Sequence, residues 1–310
     1  MPSTLLVGTE DGLYALDANG ADRRLPGRSV SNLVPSDDGG WWAILDRRFV
    51  VRSADAVEWH EVAGFHDVEV ASIAPDRETV WIGTFPPHVY RLVGDRVERI
   101  EAFEEVAGKE SWFTPWGGPP ETRSLAVNPD GMVFANVHVG GIPLSSDGGA
   151  SWQPTIDVQT DVHQVLVHPD DAELILAASA RGLAVSRDGG NSWEVYREGV
   201  HGHYMSAVAV SGSTAFVTSS TGSSSNARSA IYRIDLDNPE RFERAGEGLP
   251  EWFDGNINTF CLDARDNDVA FGTRDGDVFT ARVDELVWRH VADDLPPVQS
   301  VRLRQLAITQ

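Results

Sequence analysis

The chain has 310 residues, 41% of them hydrophobic and 23% charged, a composition that fits a packed globular protein and excludes a disordered one. A formal net charge of −22 sets phosphate backbones and anionic membrane surfaces aside as partners. No run approaches the roughly 18 apolar residues of a membrane span, and the opening "MPSTLLVGTEDGLYAL" carries no basic-then-apolar leader.

In chain order, Leu5–Asp17 reads as a hairpin with Asp11-Gly12 at its turn. A recurring unit follows: a short apolar strand, a polar turn, a second strand, another turn and a third strand. The first strands are "RSVSNLVPSDDG", "DVEVASIAPDRE", "ETRSLAVNPDG", "DVHQVLVHPDDA", "HYMSAVAVSGS", "NINTFCLDARDN" and "VQSVRLRQLAI", spaced about 40 to 54 residues apart. The hairpins between them are period-2 or wholly apolar, from "WWAILDRRFVVRS" to "VAFGTRDGDVFTARV", and no segment shows a helical period.

Seven first strands match seven hairpins only if the two chain ends are counted together. The first hairpin has no first strand before it, and the last first strand, Ser300–Leu306, has no hairpin after it. The repeats therefore predict an all-β fold, a seven-bladed β-propeller of four-stranded antiparallel blades. It forms one domain over residues 1–310, closed by pairing of the N- and C-terminal strands. The competing count is six blades plus a stray hairpin. Cys261, the single cysteine, reads as a small core residue, and Trp41, Trp42 and Trp81 read as inter-blade packing. With one thiol there is no internal disulfide, and the expected location is the cytoplasm. Lys109 is the only lysine among 25 cations; with the acidic excess this points to a halophile, or else to an acidic protein of a GC-rich mesophile.

Two octads stand 41 residues apart at blade ends: Ser145-Ser146-Asp147-Gly148-Gly149-Ala150-Ser151-Trp152 and Ser186-Arg187-Asp188-Gly189-Gly190-Asn191-Ser192-Trp193. Both fit S-x-D-x-G-x-[ST]-W, and Ser53–Trp59 is a shortened copy. The pattern resembles the Asp-box, or BNR, repeat of sialidase-like and WD40/YVTN/BNR-like propellers. That resemblance implies a structural role for Ser145, Asp147, Gly149, Trp152, Ser186, Asp188, Gly190 and Trp193: a carboxylate capping turn N–H groups, glycines at positive φ, and a Trp wedged between blades. The sialidase catalytic motifs are not matched. Tyr232-Arg233-Ile234-Asp235 lacks the proline of the F-R-I-P segment, so sialidase activity is not expected.

In such an architecture the blade linkers and the second–third turns share one face. The long segments fall there: Glu104–Glu121 with Trp112, Phe113 and Trp116, Ser219–Ser229 with Asn226 and Arg228, and Gly246–Gly255 with Trp252 and Phe253. So do His88, His138, His163, His201 and His203. Aligning the first strands matches Asp161 with His203, Glu69, Glu121 and Asn256, and His163 with Met205, Arg123, Asn258 and Gln299. Alternate strand residues share a face, so each set is expected to ring the channel mouth.

The expected ligand set is Arg123, His138, Asp161, His163, Arg181, His203, Tyr204, Asn256 and Asn258, with Trp112, Trp116 and Trp252 as walls for a small polar or sugar-like ligand. His138, His163 and His203 are candidates for a divalent metal. A hydrolase on the same mouth, metal-dependent or glycosidase-like, would draw on Glu69, Glu121 and Asp161 as acids and His163 or His203 as base. A protein-interaction or assembly platform is the third reading, anchored by the loop aromatics. A water-filled polar funnel with no ligand accounts for the same residues.

Overall fold

The computed structural model describes residues 4–18 and 20–304. Seven antiparallel sheets form the blades of a β-propeller. Their first strands are Val298–Arg304, Val30–Pro35, Glu69–Asp76, Thr122–Val127, Val162–His168, Tyr204–Ser211 and Leu262–Arg265. Each is followed in sheet order by three further strands, and one sheet carries an extra short strand, Phe253–Asp254, against Arg228–Asp235. Among the described residues no helix is long and apolar enough to cross a membrane.

The sheet that joins the chain ends has the order expected from the repeat count. Strand Thr4–Thr9 lies between Gly12–Asp17 and Val298–Arg304, in register Leu5 to Leu303 and Val7 to Val301. Gln305 and Leu306, also assigned to this last strand from the sequence, lie outside the described residues.

The contacts divide the chain into two compact units. In the unit of residues 4–33 and 198–304, the core gathers Leu5, Val7, Phe253, Phe271, Phe279 and Trp288, with Phe271 and Phe279 stacked at 5.1 Å. Gly8 is required there by close approach: a Cβ would stand 2.4 Å from the Val30 carbonyl oxygen. The following Thr9 donates its hydroxyl to Gly12 O, closing the hairpin turn.

The unit Val34–Arg197 repeats the device. At Gly83 a Cβ would fall 2.6 Å from Thr122 O, and Thr84 donates to Pro86 O. Neighbouring blades in this unit are tied at their first strands: Ser72 Oγ donates to Thr122 O at 2.8 Å, and Ser124 Oγ accepts from Val165 N at 2.9 Å.

One expectation is corrected at Glu104–Glu121. The segment predicted to be a loop holds the end of one 3-10 helix, Glu101–Glu105, and all of a second, Lys109–Ser111. They are too short to show a period in sequence. They exist because Phe103, Val106 and Trp112 turn inward onto Trp81 and Trp152. Glu104 fastens them, meeting His88 Nδ1 at 2.7 Å, Arg99 at 2.9 Å and Lys109 Nζ at 2.7 Å. The Lys109 ammonium also stands 5.1 Å from both the Phe103 and Trp112 rings.

Both octads form stapled turns. Ser151 N and Oγ donate to the two Asp147 oxygens at 2.9 and 2.6 Å, while Ser145 Oγ accepts from Gly149 N. Ser192 and Asp188 repeat the pattern at 2.8 and 2.6 Å. These bonds, the Ser151 hydroxyl first, lower Asp147 from 3.8 to about 2. The shortened copy keeps the geometry, with Val57 N on Asp55 Oδ1 and Ala56 at φ 62° where the full copies have glycine.

Candidate functional site

The first strands do not run straight through the expected ring. In three blades of the Val34–Arg197 unit an extra residue interrupts the register just after the strand begins: Ala71, Arg123 and His163. A bulge bends its strand and re-aims the bulged side chain. Arg123 and His163 thus leave the alternation on which the sequence alignment rested, and both lie against the turn that joins strands Val133–Val137 and Pro143–Ser145.

That turn presents His138. Val139 at φ 60° and Gly141 at φ 72° fold residues 137–141 back on themselves, with Val137 N bonded to Gly141 O. His138 N donates to Glu121 O, and a backbone bridge pairs His138 with Asp161. The result is a compact group. His138 Nε2 lies 2.9 Å and His163 Nε2 3.2 Å from the same oxygen, Asp161 Oδ1. His163 is fully buried and His138 nearly so. Burial would raise the Asp161 carboxyl, but the adjacent imidazoles outweigh it and hold the group well below the usual carboxylate range.

Arg123 Nη1 stands 3.3 Å from His138 Nε2 and 3.5 Å from its Nδ1. Near-equal distances to both ring nitrogens place the guanidinium over the face of the imidazole. Trp116 covers another side of His138, ring centres 5.4 Å apart and tilted by 47°, and is itself 68% exposed.

Beside this group opens a cleft of about 270 Å³ lined by Arg47, Glu69, Phe85, Thr114, Trp116 and His138, with Glu121 and the Pro119-Pro120 pair completing the wall. Arg47 bridges two carboxylates, Glu69 at 2.8 Å and Glu121 at 3.1 Å. For Glu121 the upward push of burial is overcome by Arg123 and Arg47, so its carboxyl is lowered.

The sequence reading missed Arg47. The signal was present: Leu45-Asp46-Arg47-Arg48 is a second–third turn like those that supplied His138 and Arg181, and Asp46 and Arg47 both take φ 53°.

The remaining expected members have surroundings of their own. Trp112 is 8% exposed and packs on Phe103, because the 3-10 turns draw it into the core; it is no ligand wall. His203 is exposed ahead of Tyr204–Ser211 and lies outside the group of His138, Asp161 and His163. Tyr204 is half-buried at the first position of that strand. Arg181 sits exposed in a hairpin turn, its N–H on Ser179 Oγ. Asn256 and Asn258 precede their strand, which begins only at Leu262 after Phe260 at φ 67°, so strand alternation does not apply to them. Trp252 is flanked by cations of its own chain, Arg244 at 4.3 Å and Arg228 at 5.3 Å, with His201 at 4.3 Å.

No family model and no curated protein sequence matches this chain. Solved structures do. A GH74 xyloglucanase from Xanthomonas campestris is similar at a TM-score of 0.65 and 15% identity, over 94% of this chain and 47% of that one. A GH74 enzyme from Niastella koreensis gives 0.63 and 12%, over 92% of this chain and 46% of that one. YCF48 bound to D1 peptide gives 0.58 and 15%, over 85% and 82%. The chain thus spans less than half the length of these GH74 enzymes. At such identities the likeness extends to the fold: this chain is a β-propeller.

Proposed function

We propose that the cleft beside His138 binds a small polar, sugar-like ligand. The carrying observation is Trp116, an exposed indole at the rim of a cleft that Arg47, Glu69 and Glu121 line together with Phe85, Thr114, His138 and the Pro119-Pro120 pair. An aromatic face stacks on the C–H face of a sugar ring, while carboxylate and guanidinium groups take its hydroxyls. The reading treats residues 1–310 as one cytoplasmic propeller domain with Asp-box turns of the BNR type.

Two of the three candidate acids are poorly suited to the general-acid role of a glycosidase. A glycosidase needs one carboxyl kept protonated near neutral pH, in an environment that raises it. Glu121 and Asp161 are both lowered, the first by Arg123 and Arg47 and the second by two imidazoles. A second reading, a peptide-binding or assembly surface, is supported by Phe113 at 54% and Phe85 at 36% exposure near Trp116.

The test is calorimetric titration with xyloglucan and cello-oligosaccharides, in parallel with W116A. Saturable binding in the parent protein and its loss in W116A are expected. Absence of binding to every saccharide, or equal binding by W116A, overturns the proposal.

A further inference from the structure

We infer that His138, Asp161 and His163 form a binding site for one divalent cation of the zinc class. The site is independent of saccharide binding and has three features of its own.

The first is convergence. Three donor atoms from three separate places in the chain, a turn, a pre-strand residue and a bulge, gather within 4.8 Å of one another. Two ligands held about 2.0–2.1 Å from a tetrahedral zinc ion stand roughly 3.3 Å apart. The two measured nitrogen–oxygen separations, 2.9 and 3.2 Å, are close to that edge. Two imidazoles and one carboxylate also form a donor set of borderline softness, which suits zinc or cobalt over magnesium or calcium.

The second is charge. Arg47 and Arg123 face Glu69 and Glu121, so those four groups balance. Asp161 is the remaining carboxylate, and its neighbours in ion-pair range are imidazoles. A half-buried carboxylate is stabilised by a positive partner. A bound cation supplies it, and so would a proton on one imidazole. The proton is the competing occupant.

The third is access. Two ring nitrogens stand within 3.2 Å of Asp161 Oδ1, and an ion would sit at the centre of the three donor atoms. Arg123 does not block that centre, because it lies over the His138 ring face and not along the Nε2 lone pair. His138 also lines the cleft, so the open side of the ion would face it and take water or a ligand hydroxyl as fourth donor.

The experiment uses the full chain, stripped with chelator and titrated with Co²⁺ and then Zn²⁺. Excess Mg²⁺ is present throughout to saturate the acidic surface. The readouts are the visible d–d absorption of Co²⁺ and the metal content after gel filtration, with no saccharide present. One equivalent of Co²⁺ per chain, with an intense tetrahedral spectrum displaced by one equivalent of Zn²⁺, is expected. H138Q and D161N should each weaken binding by more than about 100-fold, beyond what second-shell changes alone produce. Circular dichroism shows whether each variant keeps its fold; if one unfolds, the stoichiometry and spectrum of the parent decide. No stoichiometric binding by the parent, or unchanged binding by both folded variants, overturns the site. Because sugars are absent, failure here leaves the Trp116 titration intact, and the reverse holds.

Discussion

Replacing Glu104 by Gln should cost stability in a way that fades with acid. The carboxylate receives His88, Arg99 and Lys109 at 2.7–2.9 Å. Burial alone would raise its pKa, but hydrogen bonds from Lys109, Arg99 and His88 lower it from 4.5 to about 2. At 1.36 kcal/mol per unit that shift sets a ceiling a little above 3 kcal/mol. The side chain is 24% exposed, so water and salt reduce the ceiling; a loss of about 1–2 kcal/mol near pH 7 is expected. Since the folded pKa is the depressed one, the stabilisation is complete above the unfolded value and disappears as pH falls from about 5 to about 2. Urea unfolding of parent and E104Q, at constant salt and several pH values, measures the gap directly. A gap that is absent near pH 7, or that persists undiminished at about pH 2, would refute the reasoning.

Three further outcomes follow from the same structure. Phe103→Ala empties a fully buried site beneath Trp112 and Trp152, and should lose about 3–5 kcal/mol in the same urea assay. Gly149→Ala puts a side chain at φ 89° with its Cβ 3.0 Å from the Trp81 ring; a destabilisation of about 1–3 kcal/mol is expected, read as a lower thermal midpoint. Cys261 is buried, and burial pushes its thiol up to about 12; it should stay inert to a disulfide reagent in the native protein and react fully in denaturant.

The blade count and the joining of the chain ends were legible because they rest on period-2 hydrophobicity and on turn residues, both local signals. The stapled turns at Asp147 and Asp188 were legible for the same reason: all their partners lie within four residues. The site was legible only in part. Asp161 and His163 were both expected at the channel mouth, in two separate sets, but the bulges at Arg123 and His163 depend on pairing with a second strand, which no single strand announces. Asn256 and Asn258 were misplaced because "NINTFCLDARDN" has the composition of its sister strands, while its first half takes a turn through Phe260. Trp112 was misread because an aromatic in a long polar segment looks like an exposed one until Phe103 and Lys109 are seen to enclose it.

The strand Val298–Arg304 pairs with Thr4–Thr9 across almost the whole length of the chain. Closing a flexible loop of roughly 300 residues costs about 5 kcal/mol of chain entropy. During synthesis the first hairpin therefore waits with an open edge until Val298–Arg304 has been made. Such an edge recruits foreign strands. Chaperone demand in the cell should consequently depend on how quickly the last strand arrives, and a circular permutant that makes the Val298–Arg304 and Thr4–Thr9 strands contiguous should mature with less aggregation than the natural order.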